Sequence, residues 1–159
     1  FSRNTHTICA PRLEMKWDDS KVAGDTGSLT QLTMSGEVNN HVYVKNIKER
    51  YYEGETVKFR VGSRKRYVQK DFSTSVQTFS GSYIPTGSGF YSIVDLHTGE
   101  TLVPFGTYTT LSIDENSNYF IQDLNTFQPN RVYKILIKVD YEDSQSVVYD
   151  DNFEFNLVR

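Results

Sequence analysis

The sequence predicts an all-β protein. Three observations carry that reading. Short segments alternate apolar and polar side chains with a period of two, the pattern of half-buried strands. Turn chemistry separates them, as in HTGE at 97–100, DENSN at 114–118 and EDSQS at 142–146. No stretch holds a helical period over about 11 residues, and KNIKERYY at 45–52 offers a turn or two at most.

The elements follow in order. PRLEMKW at 11–17 puts Leu13, Met15 and Trp17 on one face and Arg12, Glu14 and Lys16 on the other. Residues 18–40 are rich in Gly, Ser, Thr and Asp and read as a linker or long loop, with a short strand at 29–34. HVYVKNI at 41–47 comes next, then ETVKFRV at 55–61 with Val57, Phe59 and Val61 inward. SRKR at 63–66 reads as a hairpin tip. SVQTF (75–79), FYSIVDL (90–96), TYTTLSI (107–113) and NYFIQDL (118–124) are further strands. In the run at 133–141, Tyr133, Ile135, Ile137, Val139 and Tyr141 share one face, opposite Lys134, Lys138 and Asp140. VVY and FEFNLV close the list after a turn at Glu142 to Ser146. The division is therefore a terminal strand at 1–17, a linker at 18–40 and one domain at 41–159, the size of an immunoglobulin-like β-sandwich.

Composition narrows the function classes. Aromatic residues make up 14% of the 159-residue chain and supply contact area for a core although only 37% is hydrophobic. A net charge of −3 gives no general pull toward nucleic acid or anionic membranes. No apolar run approaches the roughly 20 residues of a membrane-spanning helix, so no membrane partner is expected. The opening FSRNTHTI lacks the basic and apolar regions of a signal peptide and has no initiator Met, so the chain reads as cut from a longer protein. The single cysteine, Cys9, reads as a small apolar residue beside Ile8, compatible with a reducing cytoplasm.

Catalytic and metal chemistry finds few footholds. His6, His41 and His97 lie far apart, outside any zinc-ligand spacing. DENSN resembles the first half of a calcium loop, but Tyr119 stands where Gly is needed and Asn125 where the bidentate Glu would be, so a polar hairpin tip explains it better. TGSG at 86–89 has no following Lys-Ser/Thr and reads as a flexible loop. Asp18–Asp19 and Asp150–Asp151 are sequence neighbours, which a strand points to opposite faces. The expectation is no enzyme, no metal and no cofactor.

Two groups of residues are candidate contact sites. Lys58, Arg60, Arg64, Lys65, Arg66 and Lys70 form a basic run without an acid, interleaved with Tyr67 and followed by Phe72. It reads as a solvated face, as a contact with an acidic patch of a neighbouring subunit, or as a nucleic-acid or phosphate surface, with nucleic acid the weakest of the three. Asp140, Glu142, Asp143, Asp150, Asp151 and Glu154 offer the opposite charge. Phe79, Tyr83, Phe90 and Tyr91, in the Gly/Ser-rich stretch FSGSYIPTGSGFY, are the aromatics a glycan would use, although core or loop packing is the stronger reading of them.

Phe127, Pro129 and Tyr133, spaced apolar-x-Pro-x-x-x-Tyr just ahead of a strand, resemble the tyrosine corner of fibronectin type III and related sandwiches. There the apolar residue caps the core, the proline fixes the loop, and the tyrosine hydroxyl bonds back to loop backbone. Leu124 would supply the last contact of the preceding strand.

Two resemblances go further. Phe1, Ser2, Arg3, Pro11, Leu13 and Trp17 resemble the closing segment of DNRLRE-type β-sandwich modules, with Asn4 where that family commonly has Glu. THTI, P-x-LE-x-KWDDS, aromatic-x-GE-x-V-x-FRV at 52–61 and Leu-x-x-Phe-x-Pro-x-Arg-x-Tyr-Lys resemble virion proteins of marine tailed phages, chiefly T4-like phages of cyanobacteria. The resemblance implies a non-enzymatic structural component of the virion, assembled in the host cytoplasm, whose partners are other virion proteins and copies of itself. The alternative is a carbohydrate-binding adhesin with a host surface glycan as ligand.

Overall fold

The computed structural model describes residues 26–35, 39–68, 72, 74 and 81–159. The expectations for Cys9, for the strand carrying Leu13, Met15 and Trp17, for Lys70, for SVQTF and for Phe79 lie outside the described residues.

Eleven strands appear in order: β1 (Thr30–Gln31), β2 (Asn40–Lys45), β3 (Arg50–Tyr52), β4 (Thr56–Lys65), β5 (Ser82–Tyr83), β6 (Gly89–Asp95), β7 (Thr101–Val103), β8 (Ser112–Ile113), β9 (Asn118–Asp123), β10 (Arg131–Asp140) and β11 (Ser146–Val158). The first sheet runs β1-β5-β4-β9-β8, with β2 also paired to β4, and the second runs β3-β11-β10-β6-β7. Only β1–β5 and β3–β11 pair in parallel among these strands. With β2, β4, β9 and β8 in one sheet and β6, β10 and β11 in the other, the strand order is that of an immunoglobulin-like sandwich.

Alternation on the two central strands builds the core. Phe59 and Val61 of β4 face Tyr133, Ile135, Ile137 and Val139 of β10, all buried. Aromatic rings fill the space between. Phe59 lies 5.1 Å from Phe120 and 5.5 Å from Phe155, and Tyr51 meets Phe155 edge-on at 5.4 Å. The corner forms as the spacing predicts. Buried Phe127 packs 5.2 Å from Tyr133, whose hydroxyl donates to the Gln128 carbonyl at 2.7 Å. Leu124 is fully buried beneath it.

Four local expectations give way. The short strand expected within 29–34 is β1, but residues 30–34 belong to the sandwich rather than to a linker: Leu32 and Met34 are buried, and the Leu32 amide donates to the Tyr83 carbonyl. Two apolar anchors in a polar stretch suffice to plug the end of the core. SRKR is no hairpin tip, because β4 continues through Lys65, paired to β2. TYTTLSI is a 3-10 turn at Thr107–Thr109 followed by the two residues of β8. There Thr109 Oγ1 accepts from the Gly106 amide, a local side-chain bond that outcompetes a ladder. VVY and FEFNLV are one strand, β11, whose register with β10 shifts between Ile135 and Ile137.

Candidate binding surface

The outer face of the first sheet follows from strand alternation. On β4, Phe59, Val61 and Ser63 turn inward, so Lys58, Arg60, Gly62 and Arg64 occupy the outer side. Register then fixes their neighbours. His41 lies opposite Arg64, Tyr43 opposite Gly62 and Lys45 opposite Arg60. On the other flank Tyr119 lies opposite Arg60 and Ile121 opposite Lys58.

Gly62 shapes the middle of this face. A Cβ there would stand 2.6 Å from Tyr43 Cζ and 2.6 Å from Lys45 Cε, so the missing side chain is what lets the Tyr43 ring close over the strand. His41 packs beside that ring, with centroids 5.3 Å apart and planes 19° apart.

Asp114, in the tip between β8 and β9, is buried and takes two of the predicted contact residues. Its oxygens accept from Arg60 Nη1 at 2.9 Å each, and Lys58 Nζ stands 3.2 Å away. The amides of Asn116 and Ser117 donate to Oδ1. Burial alone would raise this carboxyl; the Arg60, Asn116, Ser117 and Lys58 hydrogen bonds outweigh it and hold the pKa at about 2. Lys58 also lies 4.0 Å from the Tyr119 ring centroid. Lys58 and Arg60 therefore serve their own hairpin first. This also assigns DENSN: its leading carboxylate is matched by side chains rather than aimed at a cation. Arg64, Lys65 and Arg66 are exposed, with Arg64 donating to the Lys65 carbonyl.

The expected acidic counterpart is laced with cations. Asp140 pairs with Lys138 at 3.1 Å, Asp150 with Lys134 at 2.7 Å, and Asp151 lies 4.0 Å from His41. Strand alternation sets Lys138 beside Asp140 on β10, Lys134 meets Asp150 across the β10–β11 pair, and His41 meets Asp151 of the other sheet.

The glycan set is corrected. Tyr91 is 8% exposed, stacks on Phe120 at 3.9 Å and 11°, and belongs to the core. Phe90 is half-buried with Lys138 Nζ 4.7 Å above its ring, and Tyr83 is half-buried in β5. Among the described residues the exposed aromatics are Tyr52, Tyr67, Phe72 and Tyr108. Tyr67 and Phe72 stood out in sequence by their place in the basic run, whereas Tyr108 was hidden inside an apparent strand.

A second concavity of about 480 Å³ is lined by Leu96, His97, Asn130, Arg131 and Val132. Its arginine is engaged, bonding Asp95 Oδ2 at 2.6 Å, while Asp95 Oδ1 accepts from the His97 and Thr98 amides. Among the described residues, no group of three or more His, Cys, Asp or Glu side chains could hold a metal ion. Comparison of the chain with protein-family models, with curated proteins and with solved structures finds no match.

Proposed function

We propose that this chain is a non-enzymatic structural protein of a phage virion, acting through contacts with neighbouring subunits. The sequence segments resembling marine phage proteins point to the particle. The observation that carries the contact-making role is the end of β4, where exposed Arg64, Lys65 and Arg66 adjoin Tyr67, 75% exposed. Cations beside a large exposed ring are suited to a partner surface. Three of the sheet edges are too short to favour strand addition, whereas β2, with six residues and paired to β4 alone, leaves one longer edge open. β1, β7 and β8 have two or three residues each, and β7 is followed directly by Pro104.

The test is a mass-spectrometric inventory of purified particles with copy number, followed by cross-linking. Subunit interfaces should exceed about 1,000 Å² in total. Reversing charge at Arg64, Lys65 and Arg66 should weaken association and reduce its salt sensitivity while the fold persists. A chain missing from particles sinks the reading. The adhesin alternative draws support from exposed Tyr67, Phe72 and Tyr108. A glycan array decides it: micromolar binding to one glycan class, lost in Tyr67→Ala or Tyr108→Ala, would favour it.

A further inference from the structure

We infer that the outer face of the first sheet, continued by the Arg64–Tyr67 end of β4, binds single-stranded nucleic acid. This goes beyond the virion reading and is tested apart from it.

Charge segregation is the first ground. Lys45 on β2 and Lys58, Arg60 and Arg64 on β4 share the face, and Lys65 and Arg66 follow at the strand end. Asp114 enters this strip, where Lys58 and Arg60 together more than balance it, while Asp123 ends the same face of β9 beyond Ile121 and Asp151 borders it at His41. The net charge of −3 is thus an average over a divided surface. Asp140 and Asp150 are matched by Lys138 and Lys134, which weakens that surface as a complement in a second copy of the chain.

Ring placement is the second ground. Tyr43, held over Gly62, lies between the Lys45–Arg60 pair and the His41–Arg64 pair. Tyr67, just beyond the end of β4, and Phe72 are exposed rings. Outward residues on one strand repeat about every 6.8 Å, so the Tyr43 ring and the cations on either side of it stand at steps an extended nucleotide chain can follow. A ligand alternating negative charge with flat π surface uses both features. An acidic peptide uses the charge alone.

The test is fluorescence anisotropy with the full chain and labelled oligo-dT and oligo-U of about 15 nucleotides at low salt. We expect a micromolar Kd and a log–log salt slope of about −2 to −3, the value for three or four neutralised phosphates on a single strand. Lys45→Glu/Arg64→Glu should weaken binding at least about tenfold and flatten the slope. Tyr43→Ala/Tyr67→Ala should weaken it by about tenfold or more with the slope kept. If the glutamate pair disturbs folding, Lys45→Gln/Arg64→Gln replaces it. Tyrosine variants that bind like the native chain, with heparin or polyglutamate competing as well as oligo-dT, would reduce the face to a general polyanion surface and overturn the inference. Absence of oligonucleotide binding overturns it too, and leaves the virion reading intact if particle contacts persist.

Discussion

Tyr133 Oη donates a 2.7 Å hydrogen bond to the main-chain oxygen of Gln128, five residues upstream. That bond ties the loop after β9 to the first turns of β10, beneath Phe127 and next to fully buried Leu124. The tyrosine is 1% exposed, and burial leads in raising its phenol pKa, so the hydroxyl stays a donor at neutral pH. Tyr133→Phe keeps the ring and removes the bond. It should cost about 1–2 kcal/mol, read as a lower denaturant midpoint at unchanged m. An unchanged midpoint would mean the loop is fixed by Phe127 and Pro129 alone.

Asp114 supplies a pH-dependent share of stability. Its pKa is held at about 2, below the 3.8 of a free aspartate. A carboxyl depressed in the folded state contributes stability above its unfolded pKa and loses it as pH falls through the folded value. That share is about 2 kcal/mol at pH 7 and fades between about pH 4 and pH 2. Asp114→Asn should therefore be less stable than the native chain at neutral pH, with the gap closing toward pH 2. Urea titrations of both proteins across that window check it, and a gap independent of pH would assign the cost to packing instead.

Gly89 predicts a cost of overpacking. It is buried at the start of β6, and a Cβ there would meet Leu111 Cδ1 at 2.9 Å and Ile84 Cγ2 at 3.0 Å. Both neighbours are fully or nearly fully buried, so neither can swing into solvent. Gly89→Ala should cost about 1–3 kcal/mol despite the better strand propensity of alanine. Thermal unfolding compared with Gly99→Ala, at a turn with positive φ but open space, separates crowding from backbone strain.

The strands that alternate cleanly were legible in sequence, and the tyrosine corner with them. Tyr133 to Val139 is one example, because one buried face writes itself directly into the residue order. What stayed hidden depends on register or on short-range competition. Lys58 and Arg60 looked like free cations because their partner, Asp114, sits 54 residues from Arg60 and meets it only across the sheet. TYTTLSI has the β-branched content of a strand, yet Thr109 bonds its own loop. Tyr91 sits beside glycines and serines that suggest loop surface, yet FYSIVDL alternates as a strand, and on β6 the ring belongs to the core.

The N-terminal limit of the fold gives the last prediction. The polar composition of 18–40 placed the start of the domain at 41, but burial places it at Leu32 or earlier. Leu32 is 2% exposed and Met34 6%. The Leu32 amide bonds the Tyr83 carbonyl at 2.9 Å, and the Met34 carbonyl accepts from the Glu142 amide at 3.1 Å. This short segment therefore clips β5 to the turn between β10 and β11. Deleting residues 1–20 should leave the sandwich folded, because the clip remains. Deleting 1–35 removes two buried side chains and both backbone bonds. It should lower stability by several kcal/mol, and Leu32→Ala alone by about 2–4 kcal/mol. Denaturant unfolding of the two truncations and the point variant tests this in one series. Equal midpoints for both truncations would return the boundary to residue 41. Unfolding of the shorter deletion would move it toward the N-terminus.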